Sequence, residues 1–166
     1  MFTKHLLLFL INTFIIFTAL LLFSCSSINE KTDLIGNISF EQWKNSKYWN
    51  EHEYFNYPID SLKIINLNKL IQEKKFKIII FASVFCDDCL EKIPHIIKII
   101  EMLNLPTENI IFYGLDEYST EPSGFYKQFK FNSTPAIFFK GINERLILIN
   151  SSNNLIDEFE NALRKL

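Results

Sequence analysis

From residue 61 onward, apolar and polar positions follow two rhythms, and the switches between them mark the elements. Leu62-Lys63-Ile64-Ile65 reads as a short strand, after which Asn66 or Asn68 is placed to cap a helix running to about residue 74. Residues 77–84 (KIIIFASV) are almost unbroken apolar, the pattern of a central strand covered on both faces. Over residues 88–103, Leu90, Ile93, Ile96, Ile97, Ile100 and Leu103 fall on one helical face. Glu91, Lys92, His95, Lys98 and Glu101 fall on the other, and Asn104 and Pro106 suit the helix end. Residues 110–115 (IIFYGL) predict a second buried strand, residues 119–124 are turn-rich, and residues 125–129 offer a short helix. Pro135 opens a strand at 136–139, and residues 141–143 turn the chain into 145–149, which makes a hairpin. Asn153 or Asn154 caps a last helix whose stripe is Leu155, Ile156, Phe159 and Leu163. The succession β-α-β-α-β-α-β-β-α predicts an α/β domain, with parallel crossovers around a central strand and an antiparallel edge from the hairpin.

Before residue 61 the rhythm is lost. Phe40, Trp43, Tyr48, Trp49, Tyr54, Phe55 and Tyr57 are dense but follow neither period. Because single buried aromatics remove so much apolar surface from water, they are expected to pack over the domain as an N-terminal arm; a contact surface for a partner is the alternative. Residues 26–38 (SSINEKTDLIGNI) are polar and aperiodic and read as a linker. Further back, Lys4 precedes a stretch at 6–23 that is apolar apart from Asn12, Thr13 and Thr18, giving the n-region and h-region of an export signal. The stretch ends in Leu22-Phe23-Ser24-Cys25, which resembles the lipobox of bacterial lipoproteins. That resemblance implies that Cys25 is lipidated and becomes the new N-terminus. An uncleaved signal anchor is the other reading, since spanning a bilayer takes about 17–25 residues. Either reading places the remainder outside the cytoplasm on a membrane tether. The predicted partition is 1–24 signal peptide, 25–60 tether and aromatic arm, and 61–166 folded domain.

Composition changes this picture little. With 166 residues, 48% hydrophobic and 22% charged, the chain suits one domain plus an appendage. A net charge of -2 steers no partner, and with Lys and Arg scattered among Asp and Glu no nucleic-acid surface is expected.

The cysteines change it more. With Cys25 committed to lipid, the remaining two of the three are Cys86 and Cys89, a C-x-x-C pair where the central strand feeds a helix. Cys86 sits where unpaired backbone N–H groups and the positive end of the helix dipole stabilise a thiolate. Cys89 lies within one turn and can close the disulfide. An exported chain with no other thiol has no disulfide framework to account for the pair, so it reads as a redox dithiol needing no cofactor beyond itself. The competing chemistry is a zinc or copper site, which needs two further ligands; the mature chain offers only His52 and His95, and His95 falls on the polar helix face as a solvated residue. No metal site is therefore expected.

Residues 61–166 resemble the thioredoxin superfamily. The resemblance rests on Cys86-Asp87-Asp88-Cys89 after the central strand, on Pro94 five residues beyond the second cysteine, and on Thr134-Pro135 directly before a strand. It implies a three-layer α/β/α sandwich with a mixed sheet and a C-terminal hairpin plus helix. It also implies that Cys86 is the nucleophile and Cys89 the resolving thiol, that Pro94 kinks the helix, and that a cis Thr134-Pro135 bond and Phe85 face the substrate. The activity implied is thiol–disulfide exchange on exported proteins, with an unidentified electron donor restoring the dithiol.

Three departures qualify the likeness. Phe85 stands where thioredoxins carry a tryptophan, Ile80 where they carry a buried aspartate that helps move the resolving thiol's proton, and Phe112 where they carry its companion lysine. Proton transfer must therefore run through solvent or another side chain. Asp87-Asp88 opposes thiolate formation by like charge, which points to a reductant with a potential nearer thioredoxin's, about −270 mV, than the roughly −120 mV of the strong periplasmic oxidant. The short passage 103–110 leaves no room for the insertion carried by reductases that serve cytochrome c maturation. A binding lipoprotein without catalytic activity is the alternative class.

Overall fold

The computed structural model describes residues 34–149 and 154–166, and these fall within a single compact unit. Cys25, the tetrapeptide that contains it and Asn153 lie outside the described residues. Among the described residues no helix is long and apolar enough to cross a membrane.

The fold is built on the apolar run Phe76–Ser83, strand β2, whose residues from Ile78 to Ser83 are all buried. It is flanked by Ile110–Leu115 (β3), parallel to it, and by Ala136–Gly141 (β4), antiparallel. Leu146–Ile149 (β5) closes the hairpin on β4. A two-residue strand, Gly36–Asn37 (β1), pairs antiparallel with β3 and completes a five-stranded mixed sheet in the order β1-β3-β2-β4-β5. The one parallel crossover, between β2 and β3, contains the long helix discussed below. A mixed α/β fold with a closing hairpin and a terminal helix is thus present.

Among the described residues five α-helices accompany the sheet: Phe40–Lys44 (α1), Glu51–Asn56 (α2), Ser61–Gln72 (α3), Asp87–Met102 (α4) and Leu155–Lys165 (α5). Side chains from all five enter the core that includes Ile78, Ile80 and Ala82 of β2 and Ile137 and Phe139 of β4. Because strand side chains alternate, Ile79, Phe81 and Phe138 point to the opposite face. There a second, aromatic core is closed by the short 3-10 helix Phe125–Gln128 and its flanking loops, with Phe81 stacked on Phe131 at 5.1 Å and Tyr113 on Phe125 at 4.8 Å. Glu121 anchors this covering segment by accepting from the backbone N–H groups of Ser123 (2.6 Å) and Tyr126 (3.3 Å).

Two expectations are corrected. Leu62-Lys63-Ile64-Ile65 is not a strand but the first turn of α3, which starts earlier because the Asp60 carboxylate accepts from the N–H groups of Leu62 and Lys63. Only Ile64 and Leu67 of that helix are buried, a helical spacing that four residues were too few to reveal. The expected linker does not run through to residue 38 either. Leu34 and Ile38 are buried, and Ile38 donates its N–H to the Phe112 carbonyl at 2.8 Å, extending the β1 edge. Gly114 permits the close approach at that edge, since a Cβ there would lie 1.7 Å from the Leu34 carbonyl oxygen and would have to push it away.

The aromatic-rich segment packs on the helical face. Trp43 is fully buried against Phe112, with ring centres 5.4 Å apart, and Phe40 meets the same ring edge-on at 5.6 Å. Ser39 and Gln42 form a reciprocal capping box that starts α1. The arm is then fastened to α4 by polar contacts. His95 Nε2 lies 2.9 Å from Glu53 Oε2 with its ring stacked on Tyr57, the Lys98 ammonium donates to the carbonyls of Phe55 and Tyr57, and Tyr54 donates to Glu101 at 2.6 Å. His95, expected to be solvated, is instead held under the arm.

Candidate functional site

The site forms where β2 runs out. Val84 and Phe85 turn the chain, and the Ser83 hydroxyl holds that turn by accepting from the Phe85 N–H (3.2 Å) while donating to the Asp116 carbonyl (3.3 Å). Cys86 is the N-cap of α4: its sulfur accepts from the Cys89 N–H at 3.3 Å, the place a serine or aspartate oxygen takes at other helix starts. Asp87 and Asp88 occupy the first turn, where the helix dipole favours negative charge, and Lys92 pairs with Asp88 at 3.4 Å. Pro94 lies within α4 without dividing it; lacking an N–H, it leaves the Leu90 carbonyl without its intrahelical donor.

From across the sheet, the segment before β4 brings in Thr134 and Pro135, joined by a cis peptide bond. The Cys86 thiol donates to the Thr134 carbonyl at 3.2 Å, so four of the residues singled out in the sequence, Cys86, Cys89, Thr134 and Pro135, meet at one point. Phe85 stands beside them with 40% of its surface exposed. Both cysteines are free thiols.

The two sulfurs differ in their surroundings. Cys86 is half-buried, and its pKa is lowered from an ordinary 9.0 to about 6. The largest cause is its hydrogen bond with the Cys89 side chain; the Thr134 side chain and the Cys89 N–H add to it, while desolvation and the charge of Asp88 oppose it. Asp88 thus acts in the direction expected of it and is outweighed. Cys89 has no exposed surface, and burial, followed by its hydrogen bond with Cys86, holds its thiol far above the ordinary range. The Ser83 N–H, 3.4 Å from the Cys89 sulfur, is the backbone donor that partly offsets this. Ser83 was missed in the sequence; a polar residue ending an otherwise apolar strand immediately before a C-x-x-C was the available signal.

Ile80 and Phe112 carry no charge towards the dithiol. Both are buried in the helical-face core, Ile80 completely, and Phe112 lies under Phe40 and Trp43 of the arm. Among the described residues no group of three or more His, Cys, Asp or Glu side chains is arranged to hold a metal ion. His52 is exposed beside Glu53 at 3.6 Å, on the arm.

No protein-family model matches the chain, and no curated protein matches it. Among solved structures, a crystal structure of a Pseudomonas aeruginosa protein of unknown function covers 84% of this chain and 96% of its own, at 10% identity and a TM-score of 0.44.

Proposed function

We propose that the protein is a thioredoxin-like thiol–disulfide oxidoreductase, tethered outside the cytoplasm through Cys25 and acting as a reductant of disulfides in exported proteins. The observation that carries this reading is the division between the two sulfurs. Cys86, half-buried with its pKa near 6, is a thiolate at neutral pH, whereas Cys89, sealed one turn below, keeps its proton.

Exchange then runs in two steps. The Cys86 thiolate attacks one sulfur of a substrate disulfide, the substrate S–S bond breaks, and the departing sulfur takes up a proton. Once Cys86 is bonded to the substrate its negative charge is gone, which removes one of the causes that hold the Cys89 proton in place. Cys89 loses that proton and attacks Cys86. The second substrate sulfur leaves as a thiol, and the Cys86–Cys89 disulfide has released two electrons to the substrate. A separate donor returns them. Ile80 and Phe112 cannot take up the Cys89 proton as a buried carboxylate would, so it passes to solvent or to the departing substrate sulfur.

A Cys89→Ser variant is expected to accumulate mixed disulfides through Cys86 with exported proteins, visible as high-mass bands that collapse on adding reductant. Insulin reduction driven by dithiothreitol, wild type against Cys86→Ser, gives the second test. Equal rates, or no trapped species, would establish the chain as a binding protein whose dithiol is incidental.

A further inference from the structure

The face of the sheet away from the α-helices carries a groove of about 580 Å³ near the start of β2, the end remote from the cysteines. That volume lies within the range of small-molecule sites, about 300–1,000 Å³. Its floor is apolar: Ile79 and Ile111 are register partners on β2 and β3, and Phe125 and Phe129 stand over them from the 3-10 segment. Its rim is cationic. Lys74, Lys75, Lys77 and Lys140 line it, and Glu144 is its one carboxylate.

The rim lysines are not arranged as a solvated surface usually is. Lys77 and Lys140 are direct cross-strand partners, a placement in which like charges repel. Glu144 pairs with Lys140, while Lys74, Lys75 and Lys77 have no ion pair among the described residues. Glu144 compensates Lys140 alone, and an anion beside Lys77 gives the remaining rim cations a counter-charge, while lysine stems lay their methylenes along apolar surface as the ammonium reaches the charge. A free inorganic anion would leave the apolar floor unused, and a neutral hydrocarbon would leave the repulsion. The groove is bounded by the 3-10 segment on one side and the turn carrying Ile142 and Glu144 on the other, which suits one chain rather than a bilayer surface. We propose that this groove binds a single-chain amphiphile with a carboxylate head, the head between Lys77 and Lys140 and the chain over the half-buried Ile111, Phe125 and Phe129.

The test uses the full chain in nanodiscs of zwitterionic lipid and a diazirine-bearing dodecanoate, with crosslinked peptides mapped by mass spectrometry. Labelling is expected on the β2, β3 and 3-10 segments that line the groove, with decanoate competing about tenfold better than decanol. Lys77→Gln combined with Lys140→Gln should reduce labelling about fivefold, while Cys86→Ser should leave it unchanged, which separates this site from the dithiol. Without ligand, Lys77→Gln should melt no lower than wild type, because it removes one member of a repelling pair. The proposal is overturned if labelling is spread over the surface or persists in the double variant. It is equally overturned if decanol matches decanoate, if inorganic phosphate displaces the label as well as decanoate does, or if vesicles of anionic lipid displace it where decanoate does not.

Discussion

On one face of the sheet, five α-helices and the arm they include seal a core in which Trp43, Ile80 and Cys89 have no exposed surface; on the other, one 3-10 turn and a cluster of half-buried phenylalanines do the covering. The dithiol sits at the edge of the core on the thick face, so the two sulfurs, although one helical turn apart, differ in burial. A dry floor under Cys89 and hydrogen-bond donors around Cys86 are one arrangement seen from two sides: burial raises the first thiol, and polar contacts lower the second. The thin face has no such gradient, and its polar feature is a row of lysines around an apolar floor.

The contrast is broken most directly by Trp43→Ala. Removing a fully buried indole is expected to cost about 3–5 kcal/mol in a denaturant titration. Phe129→Ala on the thin face, where the ring is half-buried, should cost about 1 kcal/mol; equal losses would mean that the two faces are sealed alike. Gly114→Ala ranks between them at about 1–3 kcal/mol, since the added methyl must displace the Leu34 carbonyl and with it β1.

At the rim, alkylation of Cys86 by iodoacetamide should rise with pH through a midpoint of about 6 and level off above it, where an ordinary thiol is still largely protonated. The same depression has a stability consequence whose sign is fixed. At Cys86 the folded chain holds a thiolate where the unfolded chain holds a thiol, so the Cys86 contribution to the stability of the reduced protein grows as pH rises from about 6 towards 9 and is lost as pH falls through 6; above 9 the Cys89 thiol, kept protonated by burial, acts in the opposite direction. Unfolding of the reduced protein at several pH values, compared with Cys86→Ser, measures it. A flat difference across that window would mean that the contacts of Cys86 do not favour its anion.

The smallest expected effect is on the redox potential. A thiolate stabilised at Cys86 favours the reduced form, so the couple is expected to lie somewhat above thioredoxin's value of about −270 mV. Asp88→Asn should raise it further, by less than about 30 mV, because Asp88 opposes the thiolate while partly neutralised by Lys92. A wild-type value above about −180 mV, the isomerase figure, removes the reductant reading.

Much of this was legible in the chain because long periods carry their own register. The unbroken apolar run of β2, the six-residue apolar stripe of α4 and the hairpin before α5 each repeat their signal often enough to be read. Leu62-Lys63-Ile64-Ile65 was misread because four residues fit both periods, and the deciding group, the Asp60 cap, lies outside them. The arm was unreadable for a related reason: α1 and α2 are one to two turns long, too short to establish a period, and their aromatics are placed by contact with α4 and Phe112 rather than by local repetition. At the site, the cysteines announced themselves by their C-x-x-C spacing, and Thr134-Pro135 was legible only through the family resemblance. The contributions of Ser83 and of the Thr134 carbonyl depend on backbone atoms, which sequence does not mark.

The short strand β1 also determines how the domain bears load. A pull on the chain ahead of Leu34 acts first on a two-residue edge strand bonded only to β3, and next on the arm held to α4 through Glu53, Tyr54 and Lys98. The strands that frame the dithiol, β2 and β4, lie beyond β3 in the sheet, so neither is hydrogen-bonded to the edge strand at which the chain enters.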